Sequence, residues 1–230
     1  MGSSVSLGGL CSHGRNDNII LYLKKGQFFT GQSIYMTSTF SLNSISATFW
    51  QPEVGRVFDG PYSLDTETAP IDKNRPWIVP ALVIAGVFDG QTACLLTSET
   101  VAEFLRHHAD LLVVMHNTPF DLAVLHQAIG KQFDVYDLID RGLVRDTQIL
   151  HRLLCLATTG TADMAGSSLA ACALYYCGLQ LDKTSEDDEG DQVRTDFGQY
   201  FHCPESIPET HVQYLVGDIT ATFLLVLSNL

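Results

Sequence analysis

One short segment decides how this sequence is interpreted: YSLDTET, residues 62–68. It has the residue types of a β-strand, and side chains alternate faces along a strand, so Asp65 and Glu67 point the same way. Two carboxylates side by side on one face repel each other unless a cation lies between them. Hard divalent ions such as Mg²⁺ bind carboxylate oxygens. The segment therefore indicates a metal site at a strand end, with a solvated strand end as the alternative.

The chain as a whole has the composition of a folded protein. It has 230 residues, of which 46% are hydrophobic and 17% charged, so it can bury a sizeable core. A formal net charge of −13 argues against broad electrostatic binding of nucleic acid, which normally requires a basic surface. An acidic enzyme can still act on phosphates if bound metal ions supply positive charge. The charge alone leaves the partner open.

The six cysteines predict reduced thiols. No Cys-x-x-Cys pair occurs, and the spacing matches no zinc pattern. A domain of this size does not need disulfides and no secretory signal precedes it, so we expect an intracellular, reducing location. The apolar run closest to transmembrane length, residues 212–230, contains Asp218, so we expect no membrane partner.

Residues 1–60 differ in composition from the remainder of the chain. They are rich in Ser, Gly, Asn and Thr, with short β-prone pieces at 19–23 and 33–40. We therefore predict a small β-rich N-terminal extension of unknown role, followed by the main domain over residues 61–230.

The order of elements in the main domain predicts an α/β fold with a mixed sheet. The apolar run 81–88 is predicted as a strand, Asp89-Gly90 as a hairpin turn, and residues 92–96 as the antiparallel partner strand. A helix over 98–108, capped by its first residue, then precedes a buried strand over 111–115. Strands interleaved with helices in this way are typical of α/β domains.

A further acidic residue follows that buried strand, in HNTPFD at residues 116–121. Thr118 suits an N-cap and Pro119 the first helical position, which places Asp121 in the first turn of a helix. Ligand sites in open α/β sheets gather at the carboxyl ends of strands, so Asp121 is a candidate site residue. The alternative is that it only complements the helix dipole.

Three later segments are interpreted as structural. Asp146 is expected to cap a helix over 148–156. Another helix begins at Ser167 or Ser168 and runs on to a terminating glycine. The acidic run 186–191 is predicted to be a solvated loop, because its spacing does not match a calcium-binding loop.

The last predicted helix begins near Pro208 and carries Tyr214 and Asp218, four residues apart and therefore on one face. An aspartate in so apolar a helix needs a partner or a metal, because an unpaired buried charge is costly. The sequence stops within apolar helical residues, so we expect it to be part of a longer protein.

These segments resemble, in order and approximate spacing, the three motifs of the DEDD superfamily of 3′→5′ exonucleases: DTE at 65–67, NxxFD at 117–121 and YxxxD at 214–218. The resemblance is to the tyrosine branch, which includes the proofreading exonucleases of family A DNA polymerases and RNase D-like enzymes. The histidine branch has His where this chain has Gln213. RNase D-like enzymes typically carry a Trp and Arg-Pro-Leu ahead of the last motif, where this chain has RTDFG at 194–198.

The resemblance implies an RNase H-like mixed β-sheet flanked by helices and a metal-dependent 3′→5′ exonuclease acting on single-stranded 3′ ends. Its implied cofactors are two divalent ions, Mg²⁺ or Mn²⁺. DNA proofreading during replication is the expected role, with a polymerase domain C-terminal to the chain as the expected partner. The alternatives are an RNase D-like exoribonuclease and an inactive nucleic-acid-binding or scaffold module.

The resemblance also implies roles for individual residues. Asp65, Glu67 and Asp121 would share the ion that activates the attacking water. Asp65 and Asp218 would serve the second ion, which stabilises the leaving 3′ oxygen. Tyr214 would orient the attacking water by a hydrogen bond, because a phenol with an ordinary pKa near 10 is a poor base.

Three further residues are candidates for substrate binding. Thr66 and Asn117 are expected to contact the terminal nucleotide, and Phe120 a base or, as we favour, the protein core. Sugar recognition depends on pocket shape and 2′-hydroxyl contacts, so the sequence does not separate DNA from RNA.

Overall fold

A computed structural model describes residues 19–22, 37–40, 45–162, 164, 166–181, 193 and 196–228. The strands in the described residues are, in chain order, β1 (Ile19–Tyr22), β2 (Thr37–Phe40), β3 (Ala47–Phe49), β4 (Tyr62–Thr68), β5 (Leu82–Phe88), β6 (Ala93–Leu96), β7 (Val113–Met115) and β8 (Val144–Asp146). The α-helices are α1 (Val101–His107), α2 (Thr118–Ile129), α3 (Asp137–Asp140), α4 (Thr147–Thr159), α5 (Leu169–Cys172) and α6 (Glu209–Leu227). A π-type segment over Ala173–Cys177 continues α5.

Six of the strands form one mixed sheet in the order β3-β6-β5-β4-β7-β8. The central strand β5 is antiparallel to β4 and to β6, whereas β4, β7 and β8 run parallel to one another, as do β3 and β6. Strands β1 and β2 form a separate antiparallel pair. The predicted α/β fold with a mixed sheet flanked by helices is confirmed.

Two hydrophobic layers cover the two faces of this sheet, and the pleat of β4 divides its residues between them. Tyr62 and Leu64 lie in the layer shared with α1 and α2, among residues such as Phe104. Ile84 and Phe88 of β5 lie in the opposite layer, against α6. Because Asp65 and Glu67 alternate with Leu64, they project toward α6.

The residues directly before position 61 contribute to the main sheet. β3 pairs in parallel with β6. Trp50 and Phe58 are buried in the α1 layer with Phe104. The division of the chain into an extension and a main domain stays a prediction.

The predicted element ends are mostly close to the observed ones. Ser168 caps α5 by accepting a hydrogen bond from the Ala171 amide, and Gly178 ends the following segment with a φ of +66°. The predicted cap for α1 at Ser98 is wrong: Thr97 donates its N–H to the Thr100 hydroxyl, and this turn delays the helix. The predicted solvated loop over 186–191 lies outside the described residues.

Within the described part of the chain, one helix, α6, is long and apolar enough to cross a membrane by length and composition, and 61% of its most apolar window is buried in the fold. α6 packs on β4 and β5, which accounts for its hydrophobicity. It begins after Pro208 with Glu209 in its first turn, as predicted.

Candidate active site

The candidate site lies where β4 extends beyond its neighbour β7. β7 pairs with β4 at Tyr62 and Ser63 and ends at Met115, whereas β4 continues to Thr68. A cavity of about 660 Å³ occupies this edge of the sheet, a volume in the usual range for ligand sites. All eight residues singled out from the sequence line it: Asp65, Thr66, Glu67, Asn117, Phe120, Asp121, Tyr214 and Asp218.

Three carboxylates converge on the α6 side of β4. Asp65, Glu67 and Asp218 each offer an oxygen, and these oxygens lie within 4.8 Å of one another. Glu67 and Asp218 are buried, with 9% and 5% of their surface exposed. Carboxylate oxygens at this separation fit a divalent ion such as Mg²⁺ or Mn²⁺. The resemblance implies Asp65, Glu67 and Asp121 at one ion and Asp65 with Asp218 at a second; the cluster found among the described residues combines members of both sets.

A close approach of α6 to the sheet brings Asp218 to this position. Gly86 of β5 lies directly opposite Asp65, and a Cβ added there would lie 2.8 Å from Cγ of Leu215. Because glycine has no side chain, Leu215 can pack directly against the backbone of β5. Asp218 follows Leu215 by three residues on the same side of the helix, so it is carried onto β4.

A buried hydroxyl fixes the helix against the same strand. Ser63 of β4 donates its hydroxyl to the backbone oxygen of Ile219 at 2.6 Å. Since Ile219 directly follows Asp218, this bond sets the height of the carboxylate above β4.

Asp121 lies on the opposite, α2 side of β4 and is held by different interactions. Its Oδ1 accepts hydrogen bonds from the Thr66 amide at 3.1 Å and from the Thr66 hydroxyl at 2.7 Å. The Thr66 amide lies beyond the last residue paired with β7, so the carboxylate takes the place of a strand partner. With 2% of its surface exposed, Asp121 has a pKa raised to about 7 by burial, although both Thr66 bonds lower it.

The start of α2 departs from the prediction by one residue. The helix begins at Thr118, and Asn117 precedes it in a left-handed conformation with φ 69° and ψ 48°. Thr118 is therefore not the N-cap. The carboxylate of Asp146 replaces it, accepting from the Thr118 amide at 2.9 Å and the Asn117 amide at 3.3 Å.

Asp146 also caps α4, as predicted. Its Oδ1 accepts from the amides of Gln148 at 2.8 Å and Ile149 at 3.0 Å. One carboxylate thus joins the starts of two helices that follow neighbouring parallel strands. This supports the structural role assigned to it.

Two aromatic site residues also contribute to packing. Phe120 is partly buried against the core layer of α2, in agreement with the packing role that we favoured, and it lines the cavity as well. Tyr214 is partly buried in the α6 layer, with its ring 6.3 Å from that of Phe197.

Sequence reasoning missed other lining residues, including His116, Gln148 and Lys73. Both His116 and Gln148 hydrogen bond to the backbone oxygen of Ser167, at 3.0 and 3.1 Å, and so hold one wall together. Both lie just after the end of a parallel strand, and this position could have identified them as candidate site residues. Lys73 lies in a loop and carries no such signal.

No model of a known protein family matches this sequence, and no curated protein matches it. The fold is of the RNase H-like class found in exonuclease domains. It is similar to Trypanosoma brucei RNase D in complex with RNA U12, with a TM-score of 0.55 and 13% identity over 77% of this chain and 56% of that one. The chain thus spans just over half the length of that RNase D.

Two shorter proteins are similar over more of their own length. The EXO domain of Aedes aegypti Nibbler has a TM-score of 0.53 and 11% identity, over 74% of this chain and 77% of that one. Brucella melitensis NrnC with bound Mg²⁺ has a TM-score of 0.52 and 15% identity, over 80% of this chain and 78% of that one. At these identities the similarity establishes the fold alone.

Proposed function

We propose that this chain is a metal-dependent 3′→5′ exonuclease acting on single-stranded nucleic acid. The observation that carries the proposal is the convergence of Asp65, Glu67 and Asp218 within 4.8 Å, in a cavity that Tyr214 also lines. The fold, which is that of exonuclease domains, supports the same reading.

Asp65, Glu67 and Asp218 would hold one divalent ion, and Asp121, across the strand, is the candidate ligand for a second. Bound Mg²⁺ or Mn²⁺ would supply a Lewis acid that activates water and neutralises phosphate charge. Tyr214 lies one helical turn before Asp218 on the same face, from which its hydroxyl can orient a water molecule. This pattern is the basis for proposing the tyrosine branch.

The cavity volume is sufficient for a terminal nucleotide. Asn117 and Thr66 lie at its wall and are proposed to contact that nucleotide. The left-handed backbone of Asn117 agrees with this role, because such conformations cluster at functional sites.

RNA is the substrate we propose first, since the solved structures of similar fold include an RNase D bound to RNA U12. DNA proofreading, with a polymerase domain following the chain, is the second candidate and rests on the motif pattern. We also propose an intracellular, reducing location, because a domain with a core of this size does not need disulfides.

The test is degradation of single-stranded RNA and DNA of one sequence, each labelled at the 5′ end, with Mg²⁺, Mn²⁺ or chelator. We expect a ladder of shortening labelled products with metal and intact substrate with chelator. A substrate blocked by a 3′ phosphate should resist. Absence of cleavage with both ions and both substrates would overturn the proposal.

The inactive binding module is distinguished by a parallel measurement. An ion that binds only the folded state raises the melting temperature. A melting temperature raised by Mn²⁺, together with tight oligonucleotide binding and no cleavage, would favour the inactive module.

A further inference from the structure

The loop that joins β4 to β5, residues 69–81, is basic and aromatic in an otherwise acidic protein. It contains Lys73 and Arg75 against a single carboxylate, Asp72, whereas the whole chain has a net charge of −13. It also contains Trp77. We call it the β4–β5 loop.

Contacts at both ends of this loop attach it to the rest of the fold. The Ala69 amide donates to the Ala81 oxygen at 2.9 Å, and Val79 packs against the core layer of α2. Pro70 packs closely on Gly198: a Cβ added to Gly198 would lie 2.5 Å from Cδ of Pro70. These contacts hold the loop beside the end of β4.

Hydrogen bonds within the loop occupy Asp72. Its carboxylate accepts from the Asn74 amide at 2.9 Å and from Nε of Arg75 at 2.8 Å, and the Arg75 bond lowers the pKa of Asp72. Asp72 is thus paired with Arg75. Of the described residues that line the cavity, Lys73 is the only Lys or Arg. It supplies positive charge beside a wall of carboxylates.

Trp77 presents its indole ring to solvent in the same loop as Lys73. It has 76% of its surface exposed, whereas the second tryptophan of the chain, Trp50, has 2%. It follows Lys73 by four residues, which limits their Cα separation to about 14 Å. Exposed aromatic rings on which bases stack, together with cations that bind phosphates, are the features with which proteins hold single strands.

We propose that the β4–β5 loop binds the nucleotides upstream of the 3′ terminus, with Lys73 on a phosphate and Trp77 stacked on a base. The proposal rests on the proposed function, which brings a single strand into the cavity. The faces of a base inside a duplex are covered by the neighbouring base pairs, so stacking on Trp77 favours unpaired ends. Stacking of a base on an aromatic ring depends neither on the sugar nor on the base sequence.

The test compares variants on two 12-residue oligonucleotides, made in whichever sugar the wild-type chain degrades faster. One is a homopolymer of uridine or thymidine. The other retains every phosphate and the 3′-terminal nucleotide but has abasic residues upstream. Steady-state kcat and KM are measured for Trp77→Ala and Lys73→Gln, with Trp77→Phe as the conservative variant. Melting temperatures establish that each variant is folded.

We expect Trp77→Ala to lower kcat/KM on the homopolymer about tenfold, mainly through KM, because stacking one base contributes roughly 1–3 kcal/mol. Trp77→Phe should recover most of this loss. On the abasic oligonucleotide Trp77→Ala should equal wild type. Lys73→Gln should weaken the binding of both oligonucleotides. The slope of log binding constant against log salt concentration should become shallower by about 0.7, the value for one phosphate contact to a single strand.

Matched controls are Tyr175→Ala and Lys131→Gln, which remove an aromatic ring with 79% of its surface exposed and an exposed lysine outside the cavity lining. Both should behave as wild type. If Trp77→Ala and Lys73→Gln match these controls while wild type cleaves the homopolymer, the loop proposal is overturned and the exonuclease stands.

If wild type cleaves nothing, the proposed function fails and binding still tests the loop. Tryptophan emission is then followed as the homopolymer is added in chelator. Quenching in wild type that is lost in Trp77→Phe, where only Trp50 emits, would support the loop. Equal emission changes in the two would overturn it.

Discussion

The two faces of strand β4 carry acidic residues in contrasting environments. Toward α6, Asp65 and Glu67 meet Asp218 with their oxygens within 4.8 Å. Toward α2, Asp121 is held by two hydrogen bonds from Thr66 and has a raised pKa. The comparison teaches that four carboxylates lining one cavity need not act alike. On the first face a bound cation would relieve the repulsion between the carboxylates, whereas on the second face hydrogen-bond donors stabilise the charge of Asp121 and burial favours its protonated form.

The largest effect is expected from Asp65→Asn, which removes one charge from the α6 face and preserves volume. Metal ions contribute several kcal/mol to phosphoryl transfer, so we expect turnover to fall about 10³-fold or more. The fold should remain, and stability in chelator should be unchanged or higher, because one repelling charge is gone. Single-turnover cleavage and melting curves measure both.

The control outside the cavity lining is Thr158→Val, which removes an exposed hydroxyl that donates to the Leu154 backbone oxygen of α4. It should leave metal affinity and turnover at the wild-type values. Near-normal turnover of Asp65→Asn would refute the assignment of the α6 face as the metal site.

The next largest effect separates Tyr214 from Asp218 on the same helical face. Tyr214→Phe removes one hydroxyl, so we expect turnover to fall substantially while metal affinity stays almost unchanged. The free energy of unfolding should fall by about 1 kcal/mol or less. Asp218→Asn removes a proposed ligand, so affinity and turnover should fall together. Metal titration beside single-turnover cleavage distinguishes them. Equal losses of metal affinity would assign Tyr214 a structural role only.

A smaller effect is expected from pH on the α2 face. In the folded chain Asp121 titrates at a pKa of about 7, against 3.8 for an ordinary aspartate. The folded state therefore retains a proton that the unfolded chain has lost, and the stability that this proton confers disappears as pH rises through 7. Between about pH 5 and pH 8 the free energy of unfolding should therefore fall, by about 3 kcal/mol or less.

The measurement is urea unfolding in chelator for wild type and Asp121→Asn across that range. Acids that do not interact with Asp121 titrate alike in both proteins, so the difference between the two curves reports Asp121 and the groups coupled to it. A difference that does not change with pH would show that Asp121 is ionised throughout.

The smallest effect is expected from a change in the packing of α6 against β5. In Gly86→Ala the new Cβ would meet Leu215, so the helix or its side chain must shift, at a cost of about 1–3 kcal/mol. Because Asp218 moves with the helix, we expect metal affinity to fall about tenfold by titration. Gly60→Ala is the control, since nothing lies within 4 Å of its Cβ position. A metal affinity in Gly86→Ala equal to that of the control would mean that the site tolerates movement of α6.

Much of the fold followed from local patterns. The apolar run that forms β5, the Asp89-Gly90 turn and the Asp146 cap were each predicted from residue types at fixed spacing, and each is observed. The predicted start of α2 was wrong because a distant group intervened: the carboxylate of Asp146 supplies the cap that Thr118 was expected to provide. Local propensity contains no information about such a partner.

The sequence by itself determined which site residues share a face within one element: Asp65 with Glu67 on a strand, and Tyr214 with Asp218 on a helix. Only the tertiary structure decided that the oxygens of Asp65, Glu67 and Asp218 lie within 4.8 Å of one another, and that Lys73 lines the same cavity. The reason is physical. Periodicity fixes directions inside an element, whereas distances between elements depend on packing, here on the contact of Leu215 with Gly86.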